Sequence, residues 1–126
     1  MQSHRFAVRV AAGILLLLSM LMGIIGVSAL FVTDDPFPRD AQVLIATFAA
    51  GMAILGIAII LSGFRRRQWW AWLALWYYPV FFIIHVLALG TVIPDAAFAA
   101  LAAAALLLAR PDRAASLTAA GMVNKE

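Results

Sequence analysis

Ser62-Gly63-Phe64-Arg65-Arg66-Arg67-Gln68-Trp69-Trp70-Ala71-Trp72 sets three consecutive cations between two long apolar runs. Residues 41–64 before the cluster and 68–94 after it contain no Asp, Glu, Lys or Arg. Arginines followed at once by Trp69 and Trp70 have the composition of a membrane–water interface, where amphipathic rings sit at head-group depth and cations reach water. The stretch therefore reads as a short loop turning the chain back into a bilayer, with Arg65, Arg66, Arg67, Trp69 and Trp70 as interfacial anchors.

Two further uncharged stretches, 10–33 and 96–109, extend the pattern outward to both ends. A hydrocarbon core about 30 Å thick takes roughly 20 helical residues per crossing. The expected helices span about 10–32, 40–64, 69–89 and 94–109, followed by a short polar tail, 110–126. Four crossings consume most of the 126 residues and leave one membrane domain. The 66% hydrophobic composition and mean hydropathy of +1.02 exclude an ordinary soluble domain, in which about half the residues are apolar.

Charge placement gives an orientation. Of nine Lys and Arg residues, only Arg39 lies in the first loop, among Asp34, Asp35 and Asp40. Arg5, Arg9, Arg65–Arg67, Arg110, Arg113 and Lys125 flank the ends and the middle loop. Basic loops resist translocation, so the expected fold is an all-α integral membrane protein, an up-down-up-down four-helix bundle with short loops and both termini cytoplasmic. Arg outnumbers Lys eight to one and Ala is abundant, which points to a bacterial gene and a multi-pass protein of the cytoplasmic (inner) membrane.

The opening imitates a secretory signal, with Arg5 and Arg9, an apolar run and Val27-Ser28-Ala29. The run is longer than the roughly 7–15 residues of a signal core, so a retained helix is expected. Asp34-Asp35-Pro36-Phe37-Pro38, Gly90-Thr91 and Arg110-Pro111 punctuate the spans. Pro94-Asp95 opens the fourth helix, proline suiting the first turn and an acid the positive dipole end.

Inside the spans, small residues recur: Ala12, Ser19, Gly23 and Gly26 on the first helix, Ala46, Ala49, Ala53, Gly56 and Gly63 on the second. Such stripes let backbones approach closely where no water drives association. They predict an antiparallel hairpin or a seam between copies. The third helix holds all four tryptophans together with Tyr78, Pro79, Phe81, Phe82 and His85. Tyr78 and His85 are seven apart and share a face. Helical rise puts Tyr78 and Ser19 at similar depth, which predicts a hydrogen bond between them. Pro79 takes the helical partner from the Leu75 carbonyl, leaving an acceptor for the Trp76 indole. His85 falls near the outer interface, with Asp95 the one acid within reach.

The chemistry is bounded by absences. No cysteine excludes disulfides and thiolate metal sites. No histidine–carboxylate cluster has metal-site spacing, no Ser/His/Asp spacing supports proteolysis, and no cofactor is expected. The pI of 10.2 comes from topology signals rather than a free basic arm, so nucleic acid is not a partner; membrane lipids are. In size alone the chain resembles the small multidrug-resistance exporters. Their coupling rests on a glutamate in the first helix, where this chain has no acid. The function expected first is a non-catalytic accessory or assembly subunit, or a self-associating scaffold, in a homo-oligomer or larger membrane complex. The second is a binder or carrier of a quinone, lipid or isoprenoid at the Tyr78/His85 face with Phe81 and Phe82. The third is a lipid-acting membrane enzyme with His85 as base.

Overall fold

Lipid-type apolar runs with glycine at their crossing points build a layered helical structure. A computed structural model describes residues 2–31, 38–90 and 92–111. Among these, every regular element is helical: α1 (Gln2–Ser28), a 3-10 turn (Ala29–Phe31), α2 (Arg39–Ile59), a π-helical turn (Ile60–Phe64), α3 (Trp69–Ala74), α4 (Tyr77–Leu89) and α5 (Val92–Leu108). The Asp34–Phe37 break, Thr91 and the tail from Asp112 lie outside the described residues.

Three stretches among the described residues are long and apolar enough to cross a membrane: Arg5–Ser28, Arg39–Phe64 and Trp69–Ala88. Ile93–Leu108 is apolar but shorter. The boundaries differ from expectation in instructive ways. α1 begins near Gln2 rather than residue 10, because Arg5 and Arg9 are good helix formers and need no separate segment. α5 begins at Val92 rather than Pro94, since proline is tolerated anywhere in the first turn.

The expected single helix 69–89 is broken at Leu75–Trp76 into α3 and α4. Pro79 has no amide proton for the Leu75 carbonyl. That carbonyl instead accepts from the Tyr78 amide at 3.2 Å, and the Trp76 amide donates to Leu73 at 3.2 Å. These tightened bonds correct the expected role of Leu75 as partner to the Trp76 indole. The Trp76 Nε1–H has no hydrogen-bond partner among the described residues.

α1 packs against α2 on one side and α5 on another, and α4 pairs with α5. The α1–α2 contact runs along the small stripe. A Cβ at Gly23 would lie 2.9 Å from that of Ala53, and one at Gly26 would collide with Ala49. Gly63 plays the same part against α3, where a Cβ would lie 2.6 Å from that of Ala71. At these positions the stripe brings helices of one chain into close contact. α5 turns Ala99, Ala102, Ala105 and Leu106 inward, and Ala109 just after it is also buried.

Polar side chains tie α3 and α4 to their neighbours. Trp72 Nε1–H donates to the Leu106 carbonyl at 2.8 Å, an acceptor in the last turn of α5 that lacks a full helical complement. Ser19 donates to the Leu15 carbonyl at 2.8 Å. Its single proton being used, the expected Ser19–Tyr78 bond has the tyrosine as donor. Tyr77, which sequence reasoning did not single out, donates to the Met52 carbonyl at 3.0 Å. Gly56 opens that path: a Cβ there would lie 2.6 Å from the Tyr77 hydroxyl and would collide with that of Tyr78.

Arg39 has its own structural task. It donates to the Leu30 carbonyl at 2.5 Å and to Gln42 Oε1 at 3.1 Å, supplying a cation and donors at the C-terminal end of α1.

Gly56→Ala is expected to lower stability by about 1–3 kcal/mol through overpacking. Gly51, where a Cβ meets nothing within 4 Å, is the matched control. Gly51→Ala should be neutral or stabilising by about 0.4–1 kcal/mol. Thermal unfolding of the two variants in the same detergent provides the comparison.

Candidate functional site

The α4–α5 reversal is built on Gly90, whose φ of 68° is left-handed and whose amide donates to Val86 at 3.1 Å. A glycine in this conformation stops a helix without a Cβ penalty. His85 precedes it by five residues and Asp95 follows it by five, so the turn brings them opposite each other. Asp95 lies in the first turn of α5, where the helix dipole favours a negative charge.

His85 Nδ1 lies 3.8 Å from Asp95 Oδ2. That is too long for a hydrogen bond, so the two groups are neighbours with a gap between them. The imidazole side chain is 39% exposed and the carboxylate 14%. Phe81 holds the ring from one side, with centroids 4.4 Å apart.

These groups sit on the wall of a cleft of about 260 Å³. α1 contributes Leu18, Leu21, Met22, Ile25 and Gly26, α2 contributes Ile45 and Ala49, α4 contributes Phe81, Phe82 and His85, and α5 contributes Asp95 and Phe98. A dry cavity of roughly 150 Å³ accepts a benzene ring, so the cleft has room for a substituted ring or a branched chain. The walls are aliphatic and aromatic, and polarity is confined to the His85–Asp95 side.

Of the residues expected at a binding face, Phe81, Phe82 and His85 meet here and Tyr78 does not. Tyr78 is fully buried, committed to Ser19, and absent from the cleft lining. Tyr78 and His85 lie two turns apart on α4, about 10 Å along its axis, and at the depth of Tyr78 the neighbouring helices close over the ring at Ser19 and Gly56. Phe98 was not anticipated from sequence. It packs against Phe82 with centroids 5.4 Å apart. Its three-residue spacing from Asp95 puts both on one face, a signal hidden by the surrounding alanines. Thr47, at comparable depth on α2, is exposed and donates to its own helix at Val43, 2.8 Å away.

The remaining expected positions behave as framework. Ala12, Ser19, Gly23, Gly26, Ala49, Ala53, Gly56 and Gly63 all lie between helices of one chain. Arg65, Arg66 and Arg67 are exposed at the opposite end of the bundle, Trp69 is partly buried and Trp70 is 52% exposed.

Because the chain has no native cysteine, a His85→Cys, Asp95→Cys pair gives a clean proximity test. A short bifunctional thiol reagent should join the two positions within one chain, whereas His85→Cys paired with Arg9→Cys should stay unlinked. Equal linkage of both pairs would contradict the geometry.

No protein-family model, no curated protein and no solved structure matches this chain in comparison.

Proposed function

We propose that the chain crosses the bacterial cytoplasmic membrane four times with both termini inside, and binds a lipophilic molecule in the His85–Asp95 cleft. The observation that carries the binding reading is an otherwise apolar cleft with two polar groups converging at one place. This is the usual composition of a small-molecule site: hydrophobic walls for affinity, a few polar groups for orientation. An imidazole donates or accepts while a carboxylate accepts, so the fitting head group carries a carbonyl, a hydroxyl or both. Quinones, isoprenoid alcohols and lipids with a free hydroxyl are the matching classes.

An accessory subunit or scaffold would draw on the small-residue stripe, but that stripe already holds α1 against α2. A lipid-modifying reaction would draw on His85 as base, yet no hydroxyl, thiol or amine side chain lines the cleft among the described residues. Binding without chemistry uses what the cleft contains.

Replacing His85 removes one hydrogen bond, about 0.5–1.5 kcal/mol. His85→Ala should therefore retain several-fold less co-purifying lipophile, measured by mass spectrometry of extracts from gently solubilised protein. Ile45→Trp, which fills the cleft from α2, should abolish retention. Wild-type levels of the same molecule in both variants would overturn the proposal. The orientation rests on arginine bias. Reporter fusions should place Pro38 outside and Arg66 inside; both on one side would refute it.

A further inference from the structure

Each polar residue of the His85–Asp95 cleft has phenyl rings one turn further in on its own helix. Phe81 and Phe82 precede His85 by four and three residues on α4, and Phe98 follows Asp95 by three on α5. Both directions lead away from the Gly90 reversal, so the rings lie about 5 Å deeper than the polar pair by helical rise. They form a continuous band. Phe81 meets Phe82 edge-on with centroids 5.5 Å apart, Phe82 meets Phe98 at 5.4 Å, and the His85 imidazole tilts against Phe81 at 4.4 Å. Leu18 and Ile25 of α1 and Ile45 of α2 supply the aliphatic part of the lining.

The polar pair offers a donor and an acceptor side by side. A neutral imidazole carries a proton on one nitrogen and a lone pair on the other. Nδ1 faces a carboxylate oxygen at 3.8 Å; a lone pair there would oppose the oxygen lone pairs, so the proton belongs on Nδ1. A single oxygen about 2.8 Å from each group suits this spacing. A hydroxyl can accept from the imidazole and donate to the carboxylate. A carbonyl or ether oxygen only accepts and would set its lone pairs against Asp95. Asp95 also interacts elsewhere, which a carboxylate with about four acceptor sites accommodates. Its negative charge disfavours a ligand headed by a phosphate or a carboxylate.

We propose that the cleft selects an aromatic alcohol, a phenol or the reduced form of a quinone, with its hydroxyl between His85 and Asp95 and its ring against Phe81, Phe82 and Phe98. The inference rests on the reading of the cleft as a lipophile site and narrows the ligand to one class. Offset and edge-on contacts between rings add to the gain from apolar burial, an increment that a saturated alcohol does not receive. A cavity of roughly 150 Å³ holds benzene, so a cleft of about 260 Å³ admits a substituted ring, and a long chain attached to that ring leaves the cleft.

Equilibrium binding of three probes to the full chain in mild detergent tests the assignment. They are 4-hexylphenol, 4-hexylanisole, which keeps ring and oxygen but has no O–H, and 4-hexylcyclohexanol, which keeps the hydroxyl without the aromatic ring. Retention by Ile45→Trp, whose cleft is filled, gives the background for each probe. 4-Hexylphenol should bind about tenfold more tightly than 4-hexylanisole, the worth of one hydrogen bond to a charged acceptor. It should bind about threefold more tightly than 4-hexylcyclohexanol, the worth of an aromatic pair. Asp95→Leu removes the acceptor and should reduce the advantage over the anisole to about twofold or less, with thermal unfolding confirming that the variant is folded. Equal binding of 4-hexylphenol and either other probe by the wild-type chain would overturn the aromatic-alcohol assignment while leaving a general lipophile site. An unchanged advantage in folded Asp95→Leu would overturn it as well. Retention of all three probes no better than by Ile45→Trp would overturn the cleft as a binding site altogether.

Discussion

Two tyrosine hydroxyls meeting at a residue without a side chain hold this bundle in register. Apolar packing gives little preference for one helix rotation over another where the surroundings are as apolar as the helices, so close contacts and buried hydrogen bonds supply the specificity. Gly56 leaves space that Tyr77 and Tyr78 occupy together. Through them α4 is bonded to Met52 on α2 and to Ser19 on α1. A buried hydroxyl without a partner is costly, so these bonds fix α4 as much by what their loss would cost as by what they add.

The cleft inherits its shape from that node. His85 lies two turns beyond Tyr78 on the same helix, so the rotation imposed at Gly56 also sets where the imidazole points. The left-handed Gly90 then delivers Asp95 to it. Neither α4 nor α5 alone makes a polar site; the reversal between them does. At the far end, the π turn and the start of α1 assemble arginines in the same manner, from segments distant in sequence. The two ends differ chemically, one a small polar spot in an apolar cleft, the other a group of converging arginines.

Much of this was legible in the chain itself. Uncharged runs bounded by arginine and tryptophan announce helices of spanning length, and three of them form as continuous apolar stretches among the described residues. The glycine and alanine stripe announces the α1–α2 contact, because small residues repeated on one helix face let two backbones approach closely. Depth by helical rise was enough to pair Ser19 with Tyr78, since rise per residue is constant whatever the packing. The expectation that Tyr78 and His85 would line one site failed for another reason. They lie seven residues apart on the unbroken α4, but a shared helix face is not a shared cavity: the helices close over Tyr78 at Ser19 and Gly56 and leave space only at the depth of His85.

What the sequence determined alone is where the long apolar helical stretches lie and which residues are capable of close approach, properties that follow from local composition and helical periodicity. Only the tertiary structure decided that Tyr77 would reach a carbonyl past Gly56, that Phe98 would close the cleft, and that Arg66 would turn away while its neighbours converge with α1. Those outcomes depend on the relative rotation of helices, and rotation is set by contacts between residues that no local pattern connects.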